Sequence, residues 1–241
     1  MNTERALFVK DFDPVSYWSV LFAPPDRRDA LLSLYAFAVE IKRIPTLVSE
    51  PALGEIRMQW WIDGLKGERG GEIQSHPQGH ALLDTCARYA LPRAPLITLV
   101  EARASRLAQD DPLRRPDEAA LELYCGQTNA SLIQIVSLIL NDGQDPKTSE
   151  AAGHAGMVLG LIELIREGAT ELSQQDLAHL AREHLIKVRQ ALQTVPDKIK
   201  PAFLPLVIAE PFLKSIARGQ IAERAFPSPW RILLRMMLGH L

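Results

Sequence analysis

A chain of 241 residues, 47% hydrophobic and 23% charged, has ordinary globular composition and enough apolar side chains for a full core. A net charge of -2 leaves no electrostatic footprint for nucleic acid, so no nucleic-acid partner is expected. Two cysteines, Cys86 and Cys125, lie in apolar helix-like surroundings; they argue against a disulfide framework and for buried free thiols in a reducing compartment.

Met1 to Lys10 has no long apolar run behind a basic stretch and does not read as a secretory signal. Pro24-Pro25-Asp26 supplies helix-opening chemistry. Leu31, Leu34, Tyr35, Ala38 and Ile41 then recur at spacings of three and four, predicting a helix over Asp26–Leu47 that Pro45 ends or kinks. A second helix is predicted over Pro51–Leu65, with Leu53, Ile56, Trp60 and Leu65 along one side. Trp60 and Trp61 stand about 100° apart on a helix, so one belongs in the core and the other at its margin. Arg57 and Asp63 are expected to pair across the surface, a contact of little worth. Gly67 to Gly79 reads as a polar loop, which would place His76 and His80 on the surface.

Further helices are predicted over His80–Tyr89, Arg93–Ala108, Asp117–Asn141, Ser149–Gly168, Leu172–Gln193, Pro201–Ile221 and Pro229–Leu238. No alternating strand pattern, internal repeat or low-complexity tract interrupts them. The loops Gln109–Pro116 and Asp142–Lys147 are too short for interdomain linkers, so one helical bundle over residues 1–241 is expected. No window is read as approaching the roughly 20 apolar residues of a membrane span. The expected location is cytoplasmic, or peripheral on an inner membrane face.

Phosphate-loop, dinucleotide, nucleophile-elbow and zinc-protease motifs are absent, and His179 and His184 do not share a helix face. The carboxylates Glu167 and Glu171 are four apart and would share a face on a continuous helix. Paired carboxylates of this kind hold Mg²⁺ against a diphosphate; the plainer reading is a solvated helix end, which Gly168 favours. At the C-terminus, Arg231 and Arg235 face one way and Trp230, Leu233, Leu234 and Met237 the other. Such a segment either lies on an anionic membrane surface or packs on the bundle.

Three stretches resemble the squalene/phytoene synthase family: Pro25 to Phe37, Glu118 to Cys125 (with Tyr124), and Leu159 to Glu167. The resemblance spans nearly the whole chain in the same order. It implies an all-α isoprenoid (terpenoid) synthase-like helical bundle with a central cavity. In active members the first of these helices continues into D-D-x-x-D, which would fall here at Lys42, Arg43 and Thr46, counted from Tyr35. Cations at those places repel the Mg²⁺ that must neutralise a departing diphosphate. The arginine before that motif is Val39 here, and the serine motif near Val15-Ser16-Tyr17 is lost. By the same resemblance Glu167 and Glu171 match the second motif, so any catalytic or metal role falls to them.

A narrower resemblance is to the non-catalytic branch of the superfamily, which includes the mitochondrial assembly factor for respiratory complex I. It rests on Phe37 to Ile41, on Val48-Ser49-Glu50, on Leu53 to Trp61 with its Arg57-Met58-Gln59-Trp60-Trp61 end, on Glu101-Ala102-Arg103 and on Thr128 to Leu132. It implies a degenerate, non-catalytic homologue acting in complex I assembly, with complex I subunits or isoprenoid lipid as partner and no cofactor. The alternatives are a Mg²⁺-dependent farnesyl- or geranylgeranyl-diphosphate transferase and an isoprenoid lipid-binding protein.

Overall fold

In a computed structural model, residues 2–168 and 170–239 are described, and every regular element among them is helical, as expected. Two helices open the chain where the sequence suggested none: α1 (Thr3–Phe12) and α2 (Pro14–Leu21). Each has a side-chain cap. Asn2 accepts from the Arg5 N–H and Asp13 from the Ser16 N–H, satisfying donors that a helix start leaves unpaired.

α3 (Arg28–Leu47) carries Pro45 in its last turn and α4 (Pro51–Lys66) stops at Gly67, whose φ of 91° is the left-handed terminating conformation. The predicted polar loop contains α5 (Gly70–Ser75) and the start of α6 (Pro77–Arg88). Two glycines that flank α5, Gly64 of α4 and Gly79 of α6, are packing positions. Ile73 is fully buried, and a Cβ at Gly64 or Gly79 would lie 2.6 Å from it. α7 (Ala94–Ala104) passes into a 3₁₀ turn.

α8 (Glu118–Cys125), a π-helical segment (Gly126–Ala130) and α9 (Ser131–Leu140) form one run. Contrary to expectation, this run of 23 residues, with mean hydropathy 1.3, is long and apolar enough to cross a membrane. It carries Glu118 and Glu122, and 56% of its apolar window is buried within the protein, the pattern of a core helix.

α10 (Ser149–Glu167) and α11 (Gln174–Ala191) follow. A single helix over Pro201–Ile221 does not form. Pro201 and Pro205 lack the N–H donors of an α ladder, and a 3₁₀ segment, Asp197–Ile208, precedes α12 (Ala209–Ala217). α13 (Ala222–Ala225) and α14 (Pro229–Met237) complete the order.

The chain divides into two compact units, Met1–Asp111 with Ile135–Pro146, and Pro112–Gln134 with Lys147–Leu241. α3 is the centre of the first. Leu31 through Phe37 are all buried, more than one amphipathic face, so the helix has neighbours on nearly every side. In the second unit α10 plays that part, with Ala152, Ala155, Val158, Leu161 and Leu164 fully buried. Two glycines let it approach the run before it: a Cβ at Gly156 would lie 2.5 Å from the Ala130 backbone N, and one at Gly160 2.5 Å from Cys125 Sγ.

The same helix carries His154, whose ring meets His184 of α11, with the two Nδ1 atoms 3.0 Å apart. Burial holds both imidazoles below their ordinary range, helped for His154 by Lys187 and for His184 by His154 and then Lys187.

Two outcomes follow from these contacts. Gly156→Ala should cost about 1–3 kcal/mol of stability, since backbone cannot yield to the new methyl. Gly153→Ala, with open space at its Cβ, should stabilise by about 0.4–1 kcal/mol; urea denaturation of both variants checks the contrast. The histidine pair also sets a sign for pH. Lowered folded-state values mean that its stabilisation is complete above the unfolded imidazole value, about 6.5, and is lost as pH falls through the folded values. Urea midpoints at pH 7.5 and 5.0 should therefore fall further for the wild type than for His184→Gln; equal drops would show that the pair does not contribute.

Candidate functional site

The C-terminal half of α3 carries the positions where the family's first motif is expected. Tyr35 lies in the core, hydrogen-bonded to Ser19, and burial raises its phenol far above the usual range. Val39 is buried and Lys42 is exposed. Thr46 turns back on its own helix, its hydroxyl donating to the Arg43 carbonyl at 2.8 Å. Arg43 lies over Phe12 of α1, its guanidinium carbon 3.4 Å from the ring centroid and 5.7 Å from that of Phe8. A guanidinium stacked on one ring and near a second is a packed side chain and a fixed positive charge.

One turn earlier, Glu40 organises a polar cluster that reasoning from sequence did not find. Its carboxylate accepts from the Trp61 side chain and stands 3.5 Å from His76 Nε2. His76 Nδ1 accepts the Gly79 N–H at 3.2 Å, capping α6, which assigns the ring proton to Nε2, facing Glu40. Burial raises the Glu40 carboxyl above the usual carboxylate range, opposed by His76, the Trp61 hydrogen bond, Arg43 and Arg57. The His76 ring sits edge-on to both Trp60 and Trp61, at centroid distances of 5.3 and 5.4 Å. The expected surface-loop His76 is thus a helix cap within an aromatic cage. Its signal was legible in principle, since Pro77 marks a first helical residue.

The Arg-x-Gln-Trp-Trp stretch bonds to carboxylates on α4 itself and on neighbouring helices. Gln59 donates to Asp63 at 2.6 Å, Trp60 Nε1 to Glu72 at 2.9 Å, and Trp61 bonds Glu40. Trp61 is core and Trp60 half-buried, as the helical angle required. Arg57 does not pair with Asp63 as expected. Asp63 pairs with Arg69 at 3.0 Å, and Arg57 acts on Glu40 through space. Leu53 and Ile56 are also exposed, because the buried side of α4 is Gly54, Met58, Trp61, Ile62 and Leu65. Glu50 and Glu101 are exposed.

In the second unit, Glu167 and Glu171 do not share a helix face. α10 ends at Glu167 because Gly168 takes a φ of 61°, and Glu171 lies in the loop beyond. The Glu171 carboxylate is held by Arg115 at 2.5 Å and Arg114 at 3.0 Å, and its backbone N–H donates to the Arg114 carbonyl. Those arginines, Arg115 first, hold its carboxyl below the usual range. Among the described residues, no group of three or more His, Cys, Asp or Glu is placed to hold a metal ion. Tyr124 is buried, and its carbonyl accepts from Thr128 within the π-helical segment.

The basic side expected of the C-terminal helix is partly docked. Arg235 bonds the Val207 carbonyl and Glu210, each at 3.2 Å, while Ile232 and Met236 are buried. Trp230, Leu234, Met237 and Leu238 remain exposed, and Arg231 sits over the Trp230 ring.

Comparison with known proteins places this geometry. NADH dehydrogenase (ubiquinone) complex I, assembly factor 6, of Homo sapiens is 28% identical over 239 residues, covering 86% of this chain and 71% of that protein. Presqualene diphosphate synthase of Zymomonas mobilis subsp. mobilis is 24% identical over 205 residues, covering 84% and 64%. A dehydrosqualene synthase crystal structure superposes with a TM-score of 0.74 at 13% identity, covering 98% of this chain and 95% of its own; that likeness establishes the all-α isoprenoid synthase fold. Residues 9–174, well over half the sequence, match the squalene/phytoene synthase family model, and the chain therefore belongs to the squalene/phytoene synthase family.

Proposed function

We propose that this protein is a non-catalytic member of its family that acts in the assembly of respiratory complex I, with subunits of that complex as its partners. One observation carries the reading. Where the family's first acidic motif would fall, the chain has Lys42, Arg43 and Thr46, and Arg43 is packed on Phe12. A positive charge built into the fold at that point opposes Mg²⁺. The arginine pair on Glu171 supports the same reading from the other motif, as do relatives named as complex I assembly factors. No cofactor is called for. The family match and the superposed neighbour both run across the two compact units, which supports treating residues 1–241 as one domain. The exposed apolar side of α14 supports a peripheral position on the inner face of a membrane.

Deleting the gene should lower NADH:ubiquinone oxidoreductase activity in isolated membranes. Both the wild-type gene and Glu167→Gln/Glu171→Gln should restore it. Unchanged activity on deletion would sink the assembly role, and failure of the double variant would sink the non-catalytic one.

A second reading has its own support in the presqualene diphosphate synthase relative: a Mg²⁺-dependent prenyl-diphosphate transferase using Glu167 and Glu171. It requires Arg114 and Arg115 to release Glu171. Calorimetric titration of farnesyl diphosphate separates the two. The assembly reading expects no binding, or binding unchanged by Mg²⁺; tight binding that appears only with Mg²⁺ would establish the enzyme. Metal-indifferent binding would count against the enzyme and leave isoprenoid lipid binding standing beside the assembly role.

A further inference from the structure

The His154–His184 pair belongs to neither family motif. His184 is buried, with 6% of its surface exposed, and His154 is half-buried. Among the described residues, the Nδ1–Nδ1 contact is the one hydrogen bond either ring makes. Here two imidazoles from two helices converge, ring centroids 5.1 Å apart and planes at 61°.

That geometry matches two ligands on one ion. Imidazole nitrogens bind zinc at about 2.0–2.1 Å, so two of them on adjacent coordination positions stand roughly 3 Å apart. We propose that His154 and His184 form a two-histidine site for a first-row divalent transition ion, with Nδ1 of each ring as ligand and water completing the coordination. Imidazole favours zinc, copper and nickel over magnesium or calcium, so this site is chemically distinct from a diphosphate-Mg²⁺ site.

Charges of both signs surround the pair. Glu150 lies one turn before His154 on the same helix and acts on it; Glu122 and Glu183 act on His184. Lys187 opposes them and acts on both rings. At each ring Lys187 acts more strongly than any one of these carboxylates, and Glu183 is paired with His179. In the neutral pair one ring donates through Nδ1 and the other accepts. Binding requires a change of tautomer and no net loss of protons. The ring that donates through Nδ1 gives that proton up and takes one at Nε2, leaving both Nδ1 lone pairs for the ion.

The helices make the site stiff. Gly156 lies half a turn past His154 and seats α10 directly on the Ala130 backbone. The metal would therefore meet a preformed pair.

Zn²⁺ titrated calorimetrically into the full-length protein at pH 7.5 should show one site, weakened in His154→Gln and in His184→Gln. Outer-shell partners alone change metal affinity about 10–100-fold, so loss of a ligand should cost at least about tenfold. His179→Gln, which alters an exposed histidine beside Glu183, should leave the affinity unchanged. Zn²⁺ should also raise the wild-type melting temperature and leave that of His154→Gln where it was. Since His154 is half-buried, its variant should keep wild-type helical content, and the melting test does not depend on a His184 variant that folds. Cu²⁺ bound in place of Zn²⁺ should show nitrogen hyperfine structure from two imidazoles in electron paramagnetic resonance. Equal Zn²⁺ affinity in wild type and His154→Gln, or no Zn²⁺-dependent melting shift in the wild type, would overturn the site and leave a hydrogen-bonded pair.

Discussion

A carboxylate can hold Mg²⁺ for a diphosphate only while it is ionised and not already neutralised by the protein. That constraint separates what this fold keeps from what it has given up. Glu171 meets two arginines before it could meet a metal. Glu40 lies one turn before Arg43 on α3, and burial raises its carboxyl, which is satisfied by Trp61 and His76. The remaining motif positions on α3 are cationic or turned back on the backbone. Glu40 ties α3 to α4 and α6, and Glu171 ties two loops together, so both carboxylates serve the packing of the fold.

The scaffold survives such changes because its stability sits elsewhere. α3 is fixed by its buried run from Leu31 to Phe37, and α10 by alanines and glycines that admit a neighbouring backbone at close range. Neither depends on the residues at 42, 43 and 46. Replacing acidic ligands by Lys42 and Arg43 removes like-charge repulsion that a metal would otherwise have to relieve. Stacking Arg43 on Phe12 adds a contact of the kind worth about 0.5–1 kcal/mol at an exposed site. The fold can therefore carry Lys42 and Arg43 at these positions without being weaker, since a fold does not fix a chemistry.

Most of the helices were legible because their periodicity is strong and their ends carry proline or glycine: α4 and α10 were read to within a residue or two. What escaped was decided by contacts distant in sequence. α5 forms because Ile73 fits against two glycines, and no local rule announces that a glycine-rich loop has a buried isoleucine to hold it. The pairing of Glu167 with Glu171 failed on a single left-handed residue, Gly168, whose effect was foreseeable as a weak point and proved to be a full stop. The Trp60-Trp61 split was legible from helical geometry, yet the partners of those indoles were not, since Glu72 and Glu40 approach from other helices.

The histidines make the same point most sharply. His179 and His184 are near in sequence and face apart, whereas His154 and His184 are thirty residues apart and touch. A spacing motif detects ligands on one helix. It has no access to a pair created when two helices distant in sequence pack against each other. Close approach of α10 to the Ala130 backbone constrains where His154 can point, and Gly156 permits that approach. A bulkier residue at 156 should therefore disturb the imidazole pair as well as the core, so packing and ligand geometry in this unit are one problem.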